Sequence, residues 1–217
     1  MSAVSPPQVI QLAVEGFELQ RVTVDNVELL HKAYREAAAD EAVVREFPSS
    51  IAAYSGTLAE SRARVERLYD TAPQQRIGYL VVNSEMEKAV GMTFLGIRPD
   101  TEVFSHDSTV TRFKGINFSS WLLAEARNRG IRCAIGDSTT NMGRILSQST
   151  DPDDQEWAGG TIYTGVREGN SASERVVTKL GYNPVGILLH DSAYLAWLKP
   201  LDFKDLKERH LQIATNS

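Results

Sequence analysis

The chain lacks features that mark several common classes of protein. It contains a single cysteine, Cys133, among 217 residues, which precludes an internal disulfide and favours a reducing cytoplasm. Its net charge of −5 disfavours a general nucleic-acid binder, because such proteins usually have a basic excess. No apolar run approaches the roughly 20 residues of a membrane span, and the first residues lack a signal-peptide pattern. We therefore expect a cytoplasmic protein that binds neither nucleic acid nor membrane.

What is present is an ordinary globular composition. The chain is 42% hydrophobic and 24% charged, and its length suffices to bury a core in one domain. We predict a single domain over residues 15–201, with an N-terminal tail over 1–14 and a C-terminal tail over 202–217. The acidic balance is compatible with a cationic amine substrate. We expect a monomer or homodimer without a bound metal.

The most informative segment spans residues 160–182. It begins with a β-branched run that predicts a buried strand. Asn170 follows where a helix should begin, and Ser171 and Glu174 have the S-x-x-E spacing of a capping box. Gly181 is typical of the residue just beyond a helix end. The segment therefore predicts a strand, a polar turn and a short helix, a unit that presents polar side chains at the carboxyl end of a strand.

This unit resembles the second conserved motif of the GCN5-related N-acetyltransferases. It is most similar to the branch that acetylates the N-termini of ribosomal proteins, whose pattern is N-x-x-S-x-R-V-x-x-K-L-G-F. The only departure among the defined positions is Tyr182 in place of Phe. The seven matching positions are Asn170, Ser173, Arg175, Val176, Lys179, Leu180 and Gly181.

A second resemblance to the same family lies upstream. The coenzyme motif of these enzymes reads Q/R-x-x-G-x-G/A and lies between a strand and a helix. Arg112 and Gly115 fit this motif, Lys114 adds a charge, and Asn117 replaces the final small residue. Apolar residues at helical spacing follow from Phe118 onward. The pattern therefore predicts a strand, a short basic loop and a helix.

Such a loop suits the diphosphate of coenzyme A. The first amides of a helix have no backbone partners, and the helix dipole adds positive charge at that end. A glycine lets the backbone approach the phosphates. The resemblance implies that coenzyme A is held by Val110, Thr111, Arg112, Phe113, Lys114, Gly115, Ile116, Asn117, Asn170 and Ser173. Main-chain amides near Val110 and Thr111 would polarise the thioester oxygen. A solvated basic turn before an ordinary helix is the simpler interpretation of this loop.

The resemblance implies direct transfer of an acetyl group from acetyl-CoA to a primary amine. Val177 stands where many relatives have a tyrosine that protonates the departing thiolate, so Ser173 is the candidate for that role. His106 and Asp107 are the candidates for the general base, and a water-mediated base is also open. Each candidate also has a purely structural interpretation. Ser173 is then a helix serine that bonds the backbone, and His106 and Asp107 are surface residues. Asn170 is equally compatible with a cap or turn.

The nature of the acceptor follows only in outline. A lysine amine with a pKa near 10.4 is about a thousandth unprotonated at pH 7, whereas an α-amine near 7.8 is roughly a seventh unprotonated. The lack of an obvious strong base therefore favours α-amines, on a protein N-terminus or a small molecule. The alternatives are a longer acyl donor, a non-catalytic protein that binds coenzyme A, and a protein that binds another phosphorylated ligand.

The implied fold is an α+β, three-layer arrangement. It has a mixed, mostly antiparallel sheet of six to seven strands, flanked by helices and splayed at the acetyl-CoA site. A helix begins after Thr23, a helical segment continues to the break at Pro48, and Thr57 begins another helix. An insertion is expected over 131–160, in which 131–135 forms a buried strand. The other predicted strands are 17–22, 77–82, 89–97, 101–111, 161–166, 185–189 and 193–198.

Overall fold

The computed structural model describes residues 7–54, 56–67, 76–150 and 157–199, and these form eight strands and six α-helices. The strands are β1 (Val9–Gln11), β2 (Phe17–Arg21), β3 (Arg76–Asn83), β4 (Lys88–Ser105), β5 (Val110–Leu122), β6 (Thr161–Arg167), β7 (Asn183–Leu188) and β8 (Tyr194–Leu198). The helices are α1 (Val27–Ala37), α2 (Glu41–Glu46), α3 (Pro48–Tyr54), α4 (Leu58–Val65), α5 (Ile131–Ser147) and α6 (Ser171–Lys179). None of the described helices is both long and apolar enough to cross a membrane.

All strands belong to one mixed sheet in the order β1-β2-β3-β4-β5-β6-β8-β7. The pairs are antiparallel except for β5 and β6, which run parallel. The end of β4 also pairs with β7, so the strands from β4 to β8 curl into a small closed unit around a separate apolar cluster. The predicted mixed, mostly antiparallel sheet is confirmed, with one strand more than the upper estimate. The additional short strand β1 lies within the segment predicted as an N-terminal tail.

Helices cover both faces of the sheet. The helices α1, α3 and α4 pack on one face around a cluster that includes Tyr34, Met92 and Trp121. The helices α5 and α6 pack on the other face around a cluster that includes Ile116 and Phe118. Burial of both faces explains why the strands read as nearly continuous apolar runs in the sequence.

The prediction of a basic loop over 112–117 and a helix from Phe118 is wrong. Both segments belong to β5, which continues to Leu122 in register with β4. Phe118, Trp121 and Leu122 have helical spacing, but Trp121 packs on one face of the sheet while Phe118 and Leu122 pack on the other. A strand with two buried faces loses its alternation, so the apolar pattern alone could not distinguish it from a helix.

The prediction of a strand over 131–135 is also wrong, because this segment is the first turn and a half of α5. Ile131 and Ile135 lie four residues apart on one helical face, and both are fully buried. Thr139 continues that face, with its hydroxyl donating to the carbonyl of Ile135 at 2.8 Å. The β-branched residues that suggested a strand are thus the buried stripe of a helix. The predicted insertion over 131–160 therefore contains one of the main helices.

The remaining differences are local. The predicted strand over 101–111 is interrupted by a turn at residues 106–109, which separates β4 from β5. Pro48 begins α3 instead of ending a helix, consistent with the tolerance of proline in a first helical turn. Asn170 is the N-cap of α6, so Ser171 is the first helical residue and not a cap. The capping boxes at Thr23 and Thr57 are present in the structure, although the helix at Thr23 begins with a 3₁₀ turn.

Candidate active site

The central feature of the site is an opening between β5 and β6. The two strands pair only over Gly115–Asn117 and Thr161–Tyr163. Beyond Asn117, β5 remains paired with β4, whereas β6 pairs with β8 from Thr164 onward. The strands therefore splay apart as predicted, and main-chain groups of β5 beyond Asn117 face a gap instead of a neighbouring strand.

Side-chain contacts identify the main-chain groups of β5 that face this opening. The carbonyl of Ser120 accepts a hydrogen bond from Arg132 at 3.1 Å, and that of Leu122 accepts one from Arg127 at 3.1 Å. The amide and carbonyl of one strand residue point to the same side, and alternate residues share that side. The amide of Phe118 closes the last ladder bond to β6, because Asn117 is still paired with Tyr163. The amide of Ser120 is therefore the first one of β5 that points into the opening, and it is the main-chain donor best placed to polarise a carbonyl oxygen there.

A narrow passage of about 70 Å³ runs through the opening. It is lined by Glu46, Phe47, Phe118, Ser119, Ser120, Arg132, Thr164, Gly165, Val166, Arg167, Asn170, Ser173, Val176, Val177 and Tyr194. Two sequence-predicted site residues, Asn170 and Ser173, are thus brought to the splayed strands. Val177, which replaces the tyrosine of many relatives, is buried in the same wall.

Asn170 and Ser173 have different roles in the local structure. The side-chain oxygen of Asn170 accepts from the amide of Ser173 at 3.2 Å and caps α6. This bond leaves the two amide hydrogens of Asn170 as possible donors toward the passage. The hydroxyl of Ser173 makes no hydrogen bond to any residue that the structure describes. It is therefore available to a bound group in the passage.

Glu46 and Tyr194 line the passage from the other side of the opening. Glu46 is the only acidic residue among the described residues of the wall, and its side chain is 13% exposed. The hydroxyl of Tyr194 donates to the carbonyl of Glu46 at 3.2 Å. Burial raises the pKa of Tyr194, and the negative charges of Glu46 and Asp191 add to this effect. The phenol therefore stays protonated at neutral pH and acts as a donor.

A larger cavity of about 320 Å³ lies between the N-terminus of α5 and the side of α6. Four cationic residues line it, and no acidic residue is part of its described wall. These are Arg127, Arg132, Arg175 and Lys179. The last two belong to the motif on α6, where their spacing of four residues places them on one helical face. The cavity therefore has the charge of an anion-binding site.

The N-terminus of α5 adds main-chain donors to this cavity. Gly130 precedes the helix in a left-handed conformation, with a φ of 76°. Because it is a glycine, it has no side chain that could cap the first amides of the helix. The amides of Cys133 and Ala134 donate to the carbonyl of Gly130, but no described residue accepts from the amides of Ile131 and Arg132. These amides and the helix dipole favour an anion at this end.

Of the four cationic side chains that line this cavity, Arg127 and Arg132 are held in place by hydrogen bonds to other residues. Arg127 donates to Asp40 at 2.6 Å, which ties the segment before α5 to the N-terminus of α2. Arg132 lines both the cavity and the passage and bonds to Ser120. Burial lowers the pKa of Arg132 and the nearby charge of Arg127 lowers it further, with a smaller opposing effect from Glu46. An anion beside Arg132 would relieve this unfavourable environment.

The residues predicted as the coenzyme loop lie elsewhere. Arg112 forms an exposed ion pair with Glu102, in which its Nε lies 2.9 Å from the carboxylate oxygen. Lys114 donates to the carbonyl of Ala158 at 3.2 Å. Phe113 and Ile116 are buried in apolar clusters. The segment is part of a strand and does not begin a helix, so the argument from the free amides and dipole of a helix N-terminus does not apply to it.

The glycine of that segment has a packing reason. A β-carbon on Gly115 would meet the side chains of Thr101 and Tyr163. Tyr163 also packs edge-on against Phe113, with 5.8 Å between ring centroids. Gly115 therefore makes room for an aromatic ring, not for a phosphate.

His106, Asp107, Val110 and Thr111 are at the far end of β5 from the opening. His106 and Asp107 form the turn before β5, where Asp107 accepts from the hydroxyl of Thr109 at 2.6 Å. Eight or nine strand residues separate Val110 from the opening, which corresponds to roughly 28 Å. The structure does not bring these four residues together with Asn170 and Ser173. A catalytic base at 106–107 and thioester donors at 110–111 therefore lack a geometric basis.

Sequence reasoning missed the residues of the cationic cavity and the passage. Arg127 and Gly130 have the same Q/R-x-x-G spacing as Arg112 and Gly115, and they directly precede a helix. That signal was available, but Arg132 stands where the motif has a small residue. Glu46 and Tyr194 have no local signature, because only the folded chain brings them to the opening. Within the described residues, no group of three or more potential metal ligands occurs.

No protein-family model matches the sequence, and no curated protein sequence matches it. Several solved structures are similar in fold. RimL, a ribosomal L7/L12 alpha-N-protein acetyltransferase in complex with coenzyme A, has a TM-score of 0.54 at 16% identity, over 87% of this chain and 95% of that chain. A ribosomal-protein-S5-alanine acetyltransferase from Vibrio fischeri has a TM-score of 0.56 at 13% identity, over 87% and 93%.

The GNAT domain of S. lividans PAT is also similar, with a TM-score of 0.53 at 14% identity over 83% of this chain and 88% of that chain. At such identities the likeness concerns the fold. The resemblance inferred from the motif on α6 is confirmed at this level by these neighbours. The chain has the fold of the GCN5-related N-acetyltransferases.

Proposed function

We propose that the chain is an acetyl-CoA-dependent N-acetyltransferase that acts on a primary amine. The observation on which this rests is the continuity of two sites: Arg132 lines both the cationic cavity at α5 and the passage between the splayed strands. One molecule with a diphosphate at one end and a thioester at the other would fill both. The CoA-bound neighbour of the same fold supports the choice of coenzyme A.

The residues of the cavity would hold the diphosphate. The amides of Ile131 and Arg132 and the four cationic side chains provide donors and positive charge. Hydrogen bonds to charged groups contribute about 1.5–3 kcal/mol each, so a few of them suffice for micromolar affinity. Asn170 would donate its side-chain amide to the pantetheine arm. This set replaces the segment 110–117 in the proposal.

The passage would supply the chemistry. The amide of Ser120 would stabilise the oxyanion as the amine nitrogen attacks the thioester carbon. The carboxylate of Glu46, directly or through a water, would accept the proton that the amine loses. The carbon–sulfur bond then breaks, and Ser173 would donate a proton to the thiolate while its hydroxyl regains a proton from a solvent water. Tyr194 is a second possible donor in the same wall.

A ligand panel with a turnover assay tests this function. Acetyl-CoA and CoA should raise the melting temperature by mass action, whereas ATP and NAD should not. Acetyl-CoA should then be consumed with at least one primary amine, as measured by thiol release. Stabilisation by ATP or NAD alone would contradict the proposal. Binding of acetyl-CoA without turnover of any amine would favour a non-catalytic protein that binds coenzyme A. Faster turnover of longer acyl-CoA thioesters than of acetyl-CoA would favour an acyltransferase with a longer acyl donor.

A further inference from the structure

A third cavity, of about 460 Å³, lies on the opposite face of the sheet from α5 and α6. Three arginines line it, and none of its described lining residues is acidic. We call Arg64, Arg76 and Arg98 with the cavity around them the arginine pocket. Its other lining residues are Tyr34, Ser49, Ser50, Tyr54, Phe94, Gly96, Ile97 and Asn117.

The arginine pocket lies beside the splayed strands. Arg76, Gly96, Asn117 and Tyr163 are successive partners across β3, β4, β5 and β6. Neighbouring strands lie about 4.8 Å apart, so the main chains of Arg76 and Asn117 are roughly 10 Å apart. Asn117 is the last residue of β5 before the opening. A small molecule in the pocket can therefore reach the thioester carbon from the face opposite the coenzyme cavity.

The pocket and the passage also share two walls. Residues 46–47 line the passage and residues 49–50 line the pocket. On β5, Ser119 lines the passage and Asn117 lines the pocket, and both side chains project from the same face. The amine acceptor of the proposed reaction must approach from this side, because the cationic cavity at α5 is assigned to the coenzyme.

Two of the arginines are held against aromatic rings. The guanidinium of Arg76 lies 4.1 Å from the ring centroid of Phe94, and that of Arg64 lies 5.2 Å from the ring centroid of Tyr54. Such stacking uses the flat face of the guanidinium and fixes the orientation of the side chain.

The Nε of Arg64 is buried and has no hydrogen-bond partner among the described residues. Neither Arg64 nor Arg98 forms an ion pair with a described residue. Buried donors without partners are uncommon and suggest a group that the protein itself does not supply.

We propose that the arginine pocket binds a carboxylate or phosphate of the acceptor, so that the preferred acceptors are small amines that are also acids. This inference rests on the proposed acetyltransferase function. Arg64 and Arg98 lie in one cavity without an ion pair to a described residue, an arrangement that an anion would stabilise. A bidentate arginine suits a carboxylate or a phosphate. A cavity of this size suits a small molecule.

Matched amines test the proposal with the full chain. Phosphoethanolamine is compared with ethanolamine, and an amino acid is compared with its primary amide. We expect kcat/KM to be about tenfold or more higher for the acidic member of at least one pair, which follows from one charge-assisted hydrogen bond. The two pairs distinguish a phosphate from a carboxylate. Equal or better turnover of both neutral amines would overturn the proposal.

Substitutions in the arginine pocket test whether the preference for acidic amines depends on its arginines. Arg64→Gln and Arg98→Gln should reduce the preference for the acidic amine at least about fivefold, mainly through KM for the amine. Arg62→Gln is the matched control, because Arg62 is exposed on the same helix and does not line the pocket. An equal effect of Arg62→Gln, or no effect of the pocket variants, would count against a specific site.

A failure of the acetyltransferase function is distinguished by a separate measurement. If acetyl-CoA neither stabilises the protein nor is consumed with any amine, the proposed function fails, and the pocket is tested by titration of the protein with inorganic phosphate. Phosphate binding that is lost in Arg64→Gln and kept in Arg62→Gln would support an anion site. No binding, or equal binding in both variants, would overturn it.

Discussion

At the residue scale, the side chains of α6 show how one motif serves three purposes. Asn170 caps the helix, Ser173 turns its hydroxyl toward the passage, and Arg175 and Lys179 face the cationic cavity. The spacing of the motif is thus a consequence of helix geometry. Residues at the start of the motif reach the splayed strands, and residues one and two turns later reach the cationic cavity.

Ser173→Ala tests the proton donor. We expect kcat to fall about 100-fold, the lower part of the range for general acid catalysis, with little change in KM for acetyl-CoA. Thiol release in steady state measures both constants. Ser171→Ala is the control, because Ser171 is exposed in the first turn of the same helix. Turnover within about twofold of the natural chain would assign the role elsewhere, with Tyr194 as the next candidate.

Glu46→Gln tests the base. We expect kcat/KM to fall about 100-fold at neutral pH, because the amine must lose a proton as it attacks. The difference from the natural chain should narrow as the pH rises, since more of the amine is then unprotonated. Glu41→Gln, at the exposed start of the same helix, should leave the rate unchanged. A pH-independent loss in Glu46→Gln would indicate a structural role instead.

At the element scale, the contact between the N-terminus of α5 and the side of α6 creates the cationic cavity. Each helix supplies one part of the anion site: α5 has free amides because it lacks a capping side chain, and α6 has the exposed cations Arg175 and Lys179. Together they surround a cavity with free amides and positive charge. The small residues on α5 help this contact, since a β-carbon on Gly136 would meet the side chain of Leu180.

Arg175→Gln and Arg112→Gln compare the two possible diphosphate sites. Arg175→Gln should weaken binding of acetyl-CoA about tenfold and reduce its dependence on salt, because one charge-assisted hydrogen bond is lost. Arg112→Gln should leave the affinity unchanged, since Arg112 pairs with Glu102 on β4. Isothermal titration at two salt concentrations measures both effects. A loss of affinity in Arg112→Gln alone would restore the segment 112–117 as the binding site.

The contact between α2 and the segment before α5 gives a pH-dependent prediction. Burial raises the pKa of Asp40, but the hydrogen bond and charge of Arg127 and the amides of Ala42 and Val43 outweigh this, and the pKa lies below its ordinary value of 3.8. A lowered pKa in the folded state means that the ionised carboxylate stabilises the fold above the ordinary value. This stabilisation is lost as the pH falls through the lowered pKa.

Asp40→Asn should therefore lower the free energy of unfolding by about 1 kcal/mol at pH 7, a value reduced for the partial exposure of Arg127. Asparagine caps a helix about as well as aspartate, so the change isolates the ion pair. The difference between the two proteins should disappear well below pH 3.8. Urea denaturation at both pH values measures it, and an equal difference at low pH would contradict the assignment.

At the scale of the whole molecule, the sheet determines where chemistry can occur. Strand β5 pairs with β4 along most of its length and with β6 over only three residues, so the sheet must open beyond Asn117. The small closed unit from β4 to β8 holds β6 away from β5 by pairing it with β8. The cationic cavity and the arginine pocket then lie on opposite faces of the sheet at this opening.

Gly115→Ala tests whether Gly115 has a packing role in the small closed unit from β4 to β8. A β-carbon would meet Thr101 and Tyr163, and overpacking of this kind costs about 1–3 kcal/mol. For a chain of this size we expect the melting temperature to fall by about 2–12 °C, at roughly 2–4 °C for each kcal/mol. Affinity for acetyl-CoA should change by less than about twofold in protein that remains folded. Unchanged stability together with lost coenzyme binding would contradict the packing role and support a phosphate contact.

The sequence by itself determined the parts of the protein that depend on neighbours along the chain. The strand β6, the turn, the cap at Asn170 and the end of α6 at Gly181 follow from local backbone chemistry, and they sufficed to indicate the fold. The tertiary structure alone decided that the segment from Phe118 is a strand and that from Ile131 is a helix. Burial on both faces of the sheet, or on one stripe of a helix, yields similar apolar patterns.

The same distinction applies to the site. Ser173 and Asn170 could be predicted because they lie in one short helix and its cap. Glu46, Arg132 and Tyr194 could not, because residues far apart in the chain meet only when β5 and β6 separate and α5 packs against α6. Local interactions fix the cap and the end of a short helix such as α6, whereas the position of a charge beside an opening in the sheet depends on long-range packing, which no local pattern encodes.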